Sequence, residues 1–164
     1  MPLLISDANI LIDMHCGELL HRMFELEHEF AVLDALFEEE LREDHADLPG
    51  LGLQIRTLRE EYVVRGTQLI EAHAKTGVSR IDLLALALAM QEAGPLLTGD
   101  RRLRELCEGL GHEVHGTLWL MEEMHKAGLI SSAEVAAAYE AMRVQGRRLP
   151  WREVDAQLRQ MRRG

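Results

Sequence analysis

Over residues 1–116, short apolar runs alternate with segments in which apolar positions recur every three or four residues. The apolar runs predict strands at 2–6, 30–33, 51–55, 95–98 and 113–115, the third at the edge of a sheet. The periodic segments predict helices from the first strand to residue 23 and at 34–44, 57–75, 81–92 and 101–110. Strands that alternate with helices in this way imply a parallel sheet with helices on both faces.

Only helical patterns follow Gly116, at 117–127, 132–145 and 151–163, with Gly128 and Gly146 where the first two would end. Residue pairs with capping-box spacing mark three helix starts: Thr57 with Glu60, Ser79 with Asp82, and Ser131 with Glu134. Asp34 is a predicted N-cap, and residues 47–50 form a predicted turn. The chain is therefore expected to be α/β in its first part and helical in its last.

The composition is that of one soluble domain. A chain of 164 residues can bury a genuine core, and an aromatic content of 4% means that Leu, Val, Ile, Ala and Met must fill it. No apolar run is long enough to span a bilayer, and the N-terminus lacks the basic start of a signal peptide. Cys16 and Cys107 have no metal-ligand spacing and suit free thiols in a reducing compartment. We expect a cytoplasmic protein without a membrane partner.

The net charge of −10 is distributed unevenly. Residues 1–100 carry 19 acidic and 7 basic side chains, whereas residues 101–164 carry 9 acidic and 11 basic ones. The acidic balance argues against broad, non-specific binding to nucleic acid, which usually requires a basic surface. Seven arginines lie beyond Met142. A solvated face on the last helices is the simpler interpretation, and a local basic patch beside an acidic site is the alternative.

Two predicted strands end on a carboxylate, Asp7 and Asp100, and a helix begins at once after each. The carboxyl ends of parallel strands meet at one edge of the sheet, where open α/β folds place their ligands. Taken singly, these acids and Asp82 are explained as helix caps. Asp82, however, is the only charge in an otherwise apolar helix, where an ionised carboxylate is costly unless it is paired, hydrogen-bonded or bound to a metal.

Glu40 is singled out from three consecutive glutamates by its angle on the predicted helix. At about 100° per residue, it falls inside the apolar arc of Leu36, Phe37 and Leu41, whereas Glu38 and Glu39 fall outside it. We therefore expect Glu40 to point inward. A salt bridge with an arginine such as Arg80 is the alternative to a role as a ligand.

Four convergent carboxylates would repel one another strongly, so the set predicts a bound cation. Hard oxygen ligands without a His or Cys cluster favour Mg²⁺ or Mn²⁺ over zinc. His112 and His115 do form an H-x-x-H pair, but on a strand this spacing sends the two side chains to opposite faces. We therefore do not expect a histidine metal site.

These residues resemble the PIN-domain family of metal-dependent nucleases. The matching positions are Asp7 in "SDANILID", Glu40 in "LFEEEL", Asp82 in "SRIDLLALALA", and Thr98 and Asp100 in "PLLTGD". Residues 1–116 look like the whole domain, and residues 117–164 are similar to the helical extension of one bacterial and archaeal subgroup, packed on the same domain. Trp119 stands where that subgroup commonly has Gly. The resemblance implies a three-layer α/β/α sandwich with four to five mainly parallel strands.

The resemblance also implies hydrolysis of phosphodiester bonds, most often in RNA, with Asp7, Glu40, Asp82 and Asp100 holding Mg²⁺ or Mn²⁺. In such a site the metal would activate a water for attack on phosphorus. Further roles go to residues beside the acids: Thr98 and Asn9 as supports for a carboxylate or the water, and Arg80, Arg101 and Arg102 as phosphate contacts. Capping is the alternative for Asn9, and surface charge for the arginines.

Other protein classes fit less well. A phosphatase of the haloacid dehalogenase type needs a second acid at the position of Asn9, and a receiver domain needs paired N-terminal acids and a lysine after a late strand. The serious alternative is a PIN fold that acts as a nucleic-acid- or protein-binding regulatory module with little catalysis. Many PIN relatives are toxins held silent by a small antitoxin, so an antitoxin partner is an expectation of the resemblance. A homodimer is a further candidate partner, because the apolar helix at 133–142 could bury against a second copy or an antitoxin helix; packing onto its own core is the alternative.

Overall fold

A five-stranded parallel sheet forms the centre of the molecule in the computed structural model, which describes residues 3–163. The strands are β1 (Leu3–Ser6), β2 (Glu29–Leu33), β3 (Gln54–Arg56), β4 (Leu96–Leu97) and β5 (Val114–His115). They lie in the order β3-β2-β1-β4-β5, and every neighbouring pair is parallel. The chain reverses its direction across the sheet between β1 and β4, and such a switch point opens a crevice at the carboxyl ends of the strands.

Helices surround this sheet. They are α1 (Ala8–Cys16), α2 (Leu20–Met23), α3 (Asp34–Leu36), α4 (Arg42–His45), α5 (Leu48–Leu51), α6 (Glu60–Ala72), α7 (Arg80–Glu92), α8 (Arg101–Leu110), α9 (Thr117–Lys126), α10 (Ser132–Val144) and α11 (Trp151–Arg163). Because crossovers between parallel strands are right-handed, the β1–β2 connection, with α1, and the β3–β4 connection, with α6 and α7, cover opposite faces. The predicted α/β/α sandwich is confirmed. None of the helices within residues 3–163 is long and apolar enough to span a membrane.

Helix α7 packs across β1, β2 and β4 and supplies the most apolar part of the core. Leu83 and the residues from Ala85 to Ala89 are buried. Helix α6 covers the outer side of α7 at Gly66, where a Cβ atom would lie 2.7 Å from Leu84 Cδ2. The missing side chain therefore lets the two helices approach closely. Because α7 leads back to the start of β4, its first turn lies at the carboxyl edge of the sheet.

Helices α9 and α10 pack onto α1, α9 also contacts α2, and α11 packs against α10. Met124, Tyr139 and Met142 are buried in these contacts. The predicted capping box of α10 is confirmed, since Ser131 Oγ accepts from Glu134 N at 3.1 Å and Glu134 Oε1 accepts from Ser131 N at 3.0 Å. The C-terminal helices are therefore joined to the element that begins at the switch point.

Two predicted boundaries in the first part of the chain were wrong. The helix after β1 ends at Cys16 instead of running to residue 23, because Glu18 adopts a left-handed conformation with φ of 58° before α2 begins. Asp34 is the first residue of α3 and not its N-cap, although its Oδ1 accepts from Ala35 N at 2.8 Å. Pro2, which the first predicted strand included, lies outside the described residues.

Two predictions around β3 were also wrong. Residues 47–50 were expected to form a turn, but α5 occupies most of them, with Pro49 near its start, where the missing N–H costs no hydrogen bond. The capping box of Thr57 does not form, since α6 begins at Glu60 after an N-cap, Arg59, that makes no side-chain cap. The edge strand is confirmed but lies slightly later, at Gln54–Arg56.

Candidate active site

Asp7 and Asp100 follow β1 and β4, the neighbouring strands on either side of the switch point. Ser6 is paired with Leu97 in the sheet, and Asp7 N donates to Leu97 O at 2.9 Å. Two residues that are 93 positions apart in sequence are thereby placed at one edge of the sheet. The two strand ends therefore meet at one edge of the sheet, as predicted.

Asp7 is buried, with 2% of its surface exposed, and it caps α1. Its Oδ1 accepts from Ile10 N at 2.9 Å, and its Oδ2 accepts from Thr98 Oγ1 at 2.5 Å. Burial raises the pKa of Asp7 from 3.8 to about 7, while these two hydrogen bonds oppose the rise. The negative charges of Asp82 and Asp13 add to it. Without a cation, this carboxyl group is therefore partly protonated near neutral pH.

Thr98 connects the two strand-end acids. Its hydroxyl donates to Asp7 and accepts from Asp100 N at 3.1 Å, and the residue is fully buried. Asp100 in turn caps α8, where its Oδ1 accepts from Leu103 N at 3.1 Å. Each aspartate thus uses one oxygen for a helix cap, so the caps expected for these residues are present.

Asp82 stands in the first turn of α7 at the centre of the acidic set. Its backbone N–H donates to Ser79 Oγ at 3.1 Å, which confirms the predicted cap. Partial burial raises the pKa of its carboxyl group, and the charge of Asp100 adds to the rise. The charge of Asp82 likewise contributes to the raised pKa values of Asp7 and Glu40. Asp82 therefore interacts electrostatically with each of the other three acids.

Glu40 is exposed, as are Glu38 and Glu39, so the expected inward orientation was wrong. The backbone from Phe37 to Leu41 is a π-helical segment, in which hydrogen bonds join residues five apart and the angular spacing of an α-helix does not hold. Partial desolvation nevertheless raises the pKa of Glu40, with contributions from Asp82 and Glu39. Glu40 thus borders the acidic set from its solvent side. Within residues 3–163, Glu40 forms no ion pair with Arg80, the alternative that the sequence left open.

Hard carboxylate oxygens of this kind fit Mg²⁺ or Mn²⁺. Within residues 3–163, no three His, Cys, Asp or Glu side chains are close enough together to hold a metal ion directly. Mg²⁺ usually keeps several of its waters and needs only one or two carboxylates, so the set fits a cation that is bound partly through water. The two histidines of the H-x-x-H pair have separate hydrogen-bond partners. His112 Nε2 lies 2.9 Å from Gly94 O, and His115 Nε2 lies 2.8 Å from Glu113 Oε2.

The remaining candidates lie around the acids in different ways. Asn9 does not cap α1, and its Oδ1 instead accepts from Arg147 Nη2 at 3.2 Å. Arg101 pairs with Glu105 at 3.1 Å on the exposed surface of α8. Arg102 lies against Gly77 and, with Arg101, lines a cavity of about 600 Å³ that also includes Asp100. Arg80 is exposed at the start of α7, two residues before Asp82.

Sequence reasoning missed a second buried acid, Asp13. It is 4% exposed, and its carboxylate accepts from Arg147 Nε at 2.6 Å and from Thr117 Oγ1 at 2.8 Å. Burial raises the pKa of Asp13, while Arg147 and Thr117 limit the rise. The signal that was available is a lone charge in the apolar run of α1, the same signal that drew attention to Asp82. Its partner, 134 residues away, could not be identified from spacing.

Comparisons with known proteins find a matching family model and matching solved structures. A family model described as "DUF3368: PIN domain" matches residues 3–163. The comparison with curated proteins finds no match. One of the solved structures that match is the crystal structure of VapBC2 from Rickettsia felis bound to a DNA fragment from their promoter. The matched chain is 14% identical with a TM-score of 0.49, and the alignment covers 70% of the present chain and 98% of that chain.

Proposed function

Because the chain belongs to the PIN-domain family, we propose that it is a nuclease that hydrolyses phosphodiester bonds with the help of Mg²⁺ or Mn²⁺. RNA, single-stranded or structured, is the proposed substrate. Asp7, Glu40, Asp82 and Asp100 are the proposed metal ligands, directly or through water. The observation that carries the proposal is that Thr98 joins Asp7 and Asp100 at the switch point of the sheet, and the charge of Asp82 acts on the acids around it.

The chemistry that a divalent cation supplies when bound here is activation of a water and stabilisation of negative charge on the phosphate. The chain itself fixes the geometry. The Thr98 hydroxyl makes both contacts, since it donates to the carboxylate of Asp7 and accepts from the backbone N–H of Asp100. No Ser, Cys or Lys side chain is needed as a nucleophile, and the buried Asp7 is held in one orientation by two hydrogen bonds.

Two of the acids suit different tasks. Asp7 is buried and its pKa is raised to about 7, so it would release its proton if it held a cation at physiological pH. Glu40, exposed at the rim, is free to reorient and contributes attraction without a comparable burial cost. Asp82 lies between them and is only partly buried. We infer that the set combines a fixed ligand at the sheet edge with adaptable ones towards solvent.

The test is cleavage of a labelled single-stranded RNA by the purified chain with Mn²⁺ or Mg²⁺, and with EDTA as the negative condition. Asp100→Asn should abolish cleavage while retaining the helix cap, since an amide oxygen can still accept from Leu103 N. Glu40→Gln should lower activity and weaken Mn²⁺ binding, whereas Glu39→Gln, at the neighbouring exposed position, should not.

Retention of full metal-dependent cleavage by Asp100→Asn would remove Asp100 from the ligand set. If the wild-type chain cleaves no RNA with either metal but binds a partner tightly, the regulatory-module alternative is favoured instead. An antitoxin partner is a separate part of the proposal. It predicts that expression of the chain arrests growth and that co-expression of a small neighbouring gene restores growth.

A further inference from the structure

A cavity beside Asp100 is lined from two distant parts of the chain. Arg101 and Arg102 reach it from the start of α8, and Arg147 and Arg148 reach it from the loop between α10 and α11. We call these four residues the arginine groove. Its volume is about 600 Å³. The C-terminal helices therefore contribute cationic side chains next to the acidic set, on a protein whose overall charge is −10.

Arg147 fixes the C-terminal side of this groove. Its Nε donates to the buried Asp13 at 2.6 Å, and its Nη2 donates to Asn9 O at 3.3 Å. Gln145, two residues earlier, donates from Nε2 to Cys16 O at 3.3 Å. Both ends of α1, the helix that Asp7 caps, are thus joined to the loop. The backbone that carries Arg148 is consequently held in place over the strand ends.

Arg101 and Arg147 are paired with acids, whereas Arg102 lines the cavity beside Asp100 without a side-chain hydrogen bond or ion pair among residues 3–163. Arg148 is unpaired like Arg102 and lines the same cavity. It also lines an adjoining cavity of about 720 Å³, and the two cavities share Gly99, Arg101 and Arg148. Arg148 therefore stands midway along a continuous depression. A cationic fork in that position matches a phosphate between two successive nucleotides.

The other arginines of the C-terminal region do not share this position. Arg143 stacks on the ring of Trp151, with its Cζ 4.3 Å from the ring centroid. Arg152 and Arg159 are exposed and line neither cavity. For these residues the simpler interpretation, a solvated helix face, holds. It does not hold for the pair at 147 and 148.

We propose that Arg148 binds a backbone phosphate of the RNA next to the scissile one, and that the C-terminal extension thereby forms one wall of the substrate groove. Arg147 is a positioning residue that holds this wall through Asp13. The inference rests on the proposed nuclease function for its substrate class. RNA binding alone, measured without cleavage, tests it separately.

The experiment is the equilibrium binding of a labelled single-stranded RNA in EDTA, measured over a series of salt concentrations for the full chain. Arg148→Gln should raise Kd on the order of tenfold, the loss of one charge-assisted hydrogen bond. It should also reduce the slope of log K against log salt by about 0.7, the value for one phosphate contact on a single strand. Arg148→Lys should restore the slope and only part of the affinity, because the ammonium lacks the planar fork.

Arg159→Gln is the matched control, and it should leave both Kd and the salt slope unchanged. In the cleavage assay, Arg148→Gln should raise KM more than it lowers kcat. If Arg148→Gln binds RNA with the same Kd and the same salt slope as the wild type, the inference is overturned and the nuclease proposal is unaffected. If the wild-type chain does not cleave RNA but Arg148→Gln still weakens RNA binding, the result would support the inference and contradict the proposed nuclease activity. The inference would be overturned if the wild-type chain did not bind RNA. It would also be overturned if Arg148→Gln weakened binding to an acidic protein and left RNA binding unchanged.

Discussion

Replacing Asp7 by Asn should stabilise the metal-free protein at alkaline pH, although it removes a proposed ligand. Burial raises the pKa of Asp7 to about 7 from 3.8 in an exposed chain. The folded state therefore binds a proton more tightly than the unfolded state, and its stability falls as pH rises from about 4 to 7. At pH 8 the ionised, buried carboxylate costs about 4 kcal/mol of the free energy of unfolding.

Asparagine cannot ionise, so this cost disappears in Asp7→Asn. Part of the gain is offset because the amide nitrogen cannot accept the hydrogen bond from Thr98, a loss of about 1–3 kcal/mol. The expected net stabilisation at pH 8 is about 2 kcal/mol, or about 4–8 °C in Tm for a chain of this size. At pH 5, where Asp7 keeps its proton in the folded state, the variant should be no more stable than the wild type. The difference between the two proteins should therefore change by about 3 kcal/mol between pH 5 and pH 8.

Urea denaturation followed by circular dichroism, in EDTA at both pH values, measures this difference. Asp155→Asn, on the exposed surface of α11, serves as the control and should show no pH-dependent change relative to the wild type. Adding Mn²⁺ at pH 8 should stabilise the wild type more than Asp7→Asn. A stability difference that is the same at pH 5 and pH 8 would refute the conclusion that burial dominates the ionisation of Asp7.

Three other substitutions test the surroundings of the site. Thr98→Val should lower the free energy of unfolding by about 1–3 kcal/mol in urea denaturation, and because the bond to Asp7 is lost, cleavage should require a higher pH. Arg147→Met should cost about 3 kcal/mol because it leaves Asp13 buried without its cation, and Asp13→Asn in the same chain should recover part of that loss. Ser131→Ala removes the capping box of α10 and should cost about 1 kcal/mol, with no change in RNA cleavage.

The sheet and its switch point were predictable because the relevant signals are local. A buried strand that ends on Asp7 or Asp100 shows its apolar run, its carboxylate and the start of a helix within a few residues. The parallel arrangement then follows from the alternation of strands with helices. Glu18 shows where local signals fail. Gly17 marks the end of α1 as its C-cap, but the left-handed φ of 58° falls on the next residue, Glu18, a residue type that does not favour it.

The resemblance names four acids as candidate ligands, an assignment that stays a prediction, and the geometry around them was harder to predict from the sequence. Glu40 was selected by an angle that applies to an α-helix, and the π-helical segment removed the basis for that angle. The coupling to Asp82 comes from tertiary packing, which no periodicity encodes. The pair of Asp13 and Arg147 is the same case at longer range. Asp13 stands out in the sequence as a lone charge in an apolar helix, but Arg147 is one of seven arginines beyond Met142, and only the fold brings the two side chains to 2.6 Å.

Opposing influences on Asp7 determine how the site should respond to pH. The start of α1 favours a negative charge at this position through the hydrogen bond from Ile10 N and the helix dipole. Burial disfavours the same charge. Burial is the stronger influence, since the pKa of Asp7 is raised to about 7. A cation that binds below pH 7 must therefore displace a proton from Asp7, so its affinity should rise with pH and level off above 7. This dependence should persist in Glu40→Gln, which leaves the buried carboxyl group of Asp7 in place, and should weaken in Asp7→Asn.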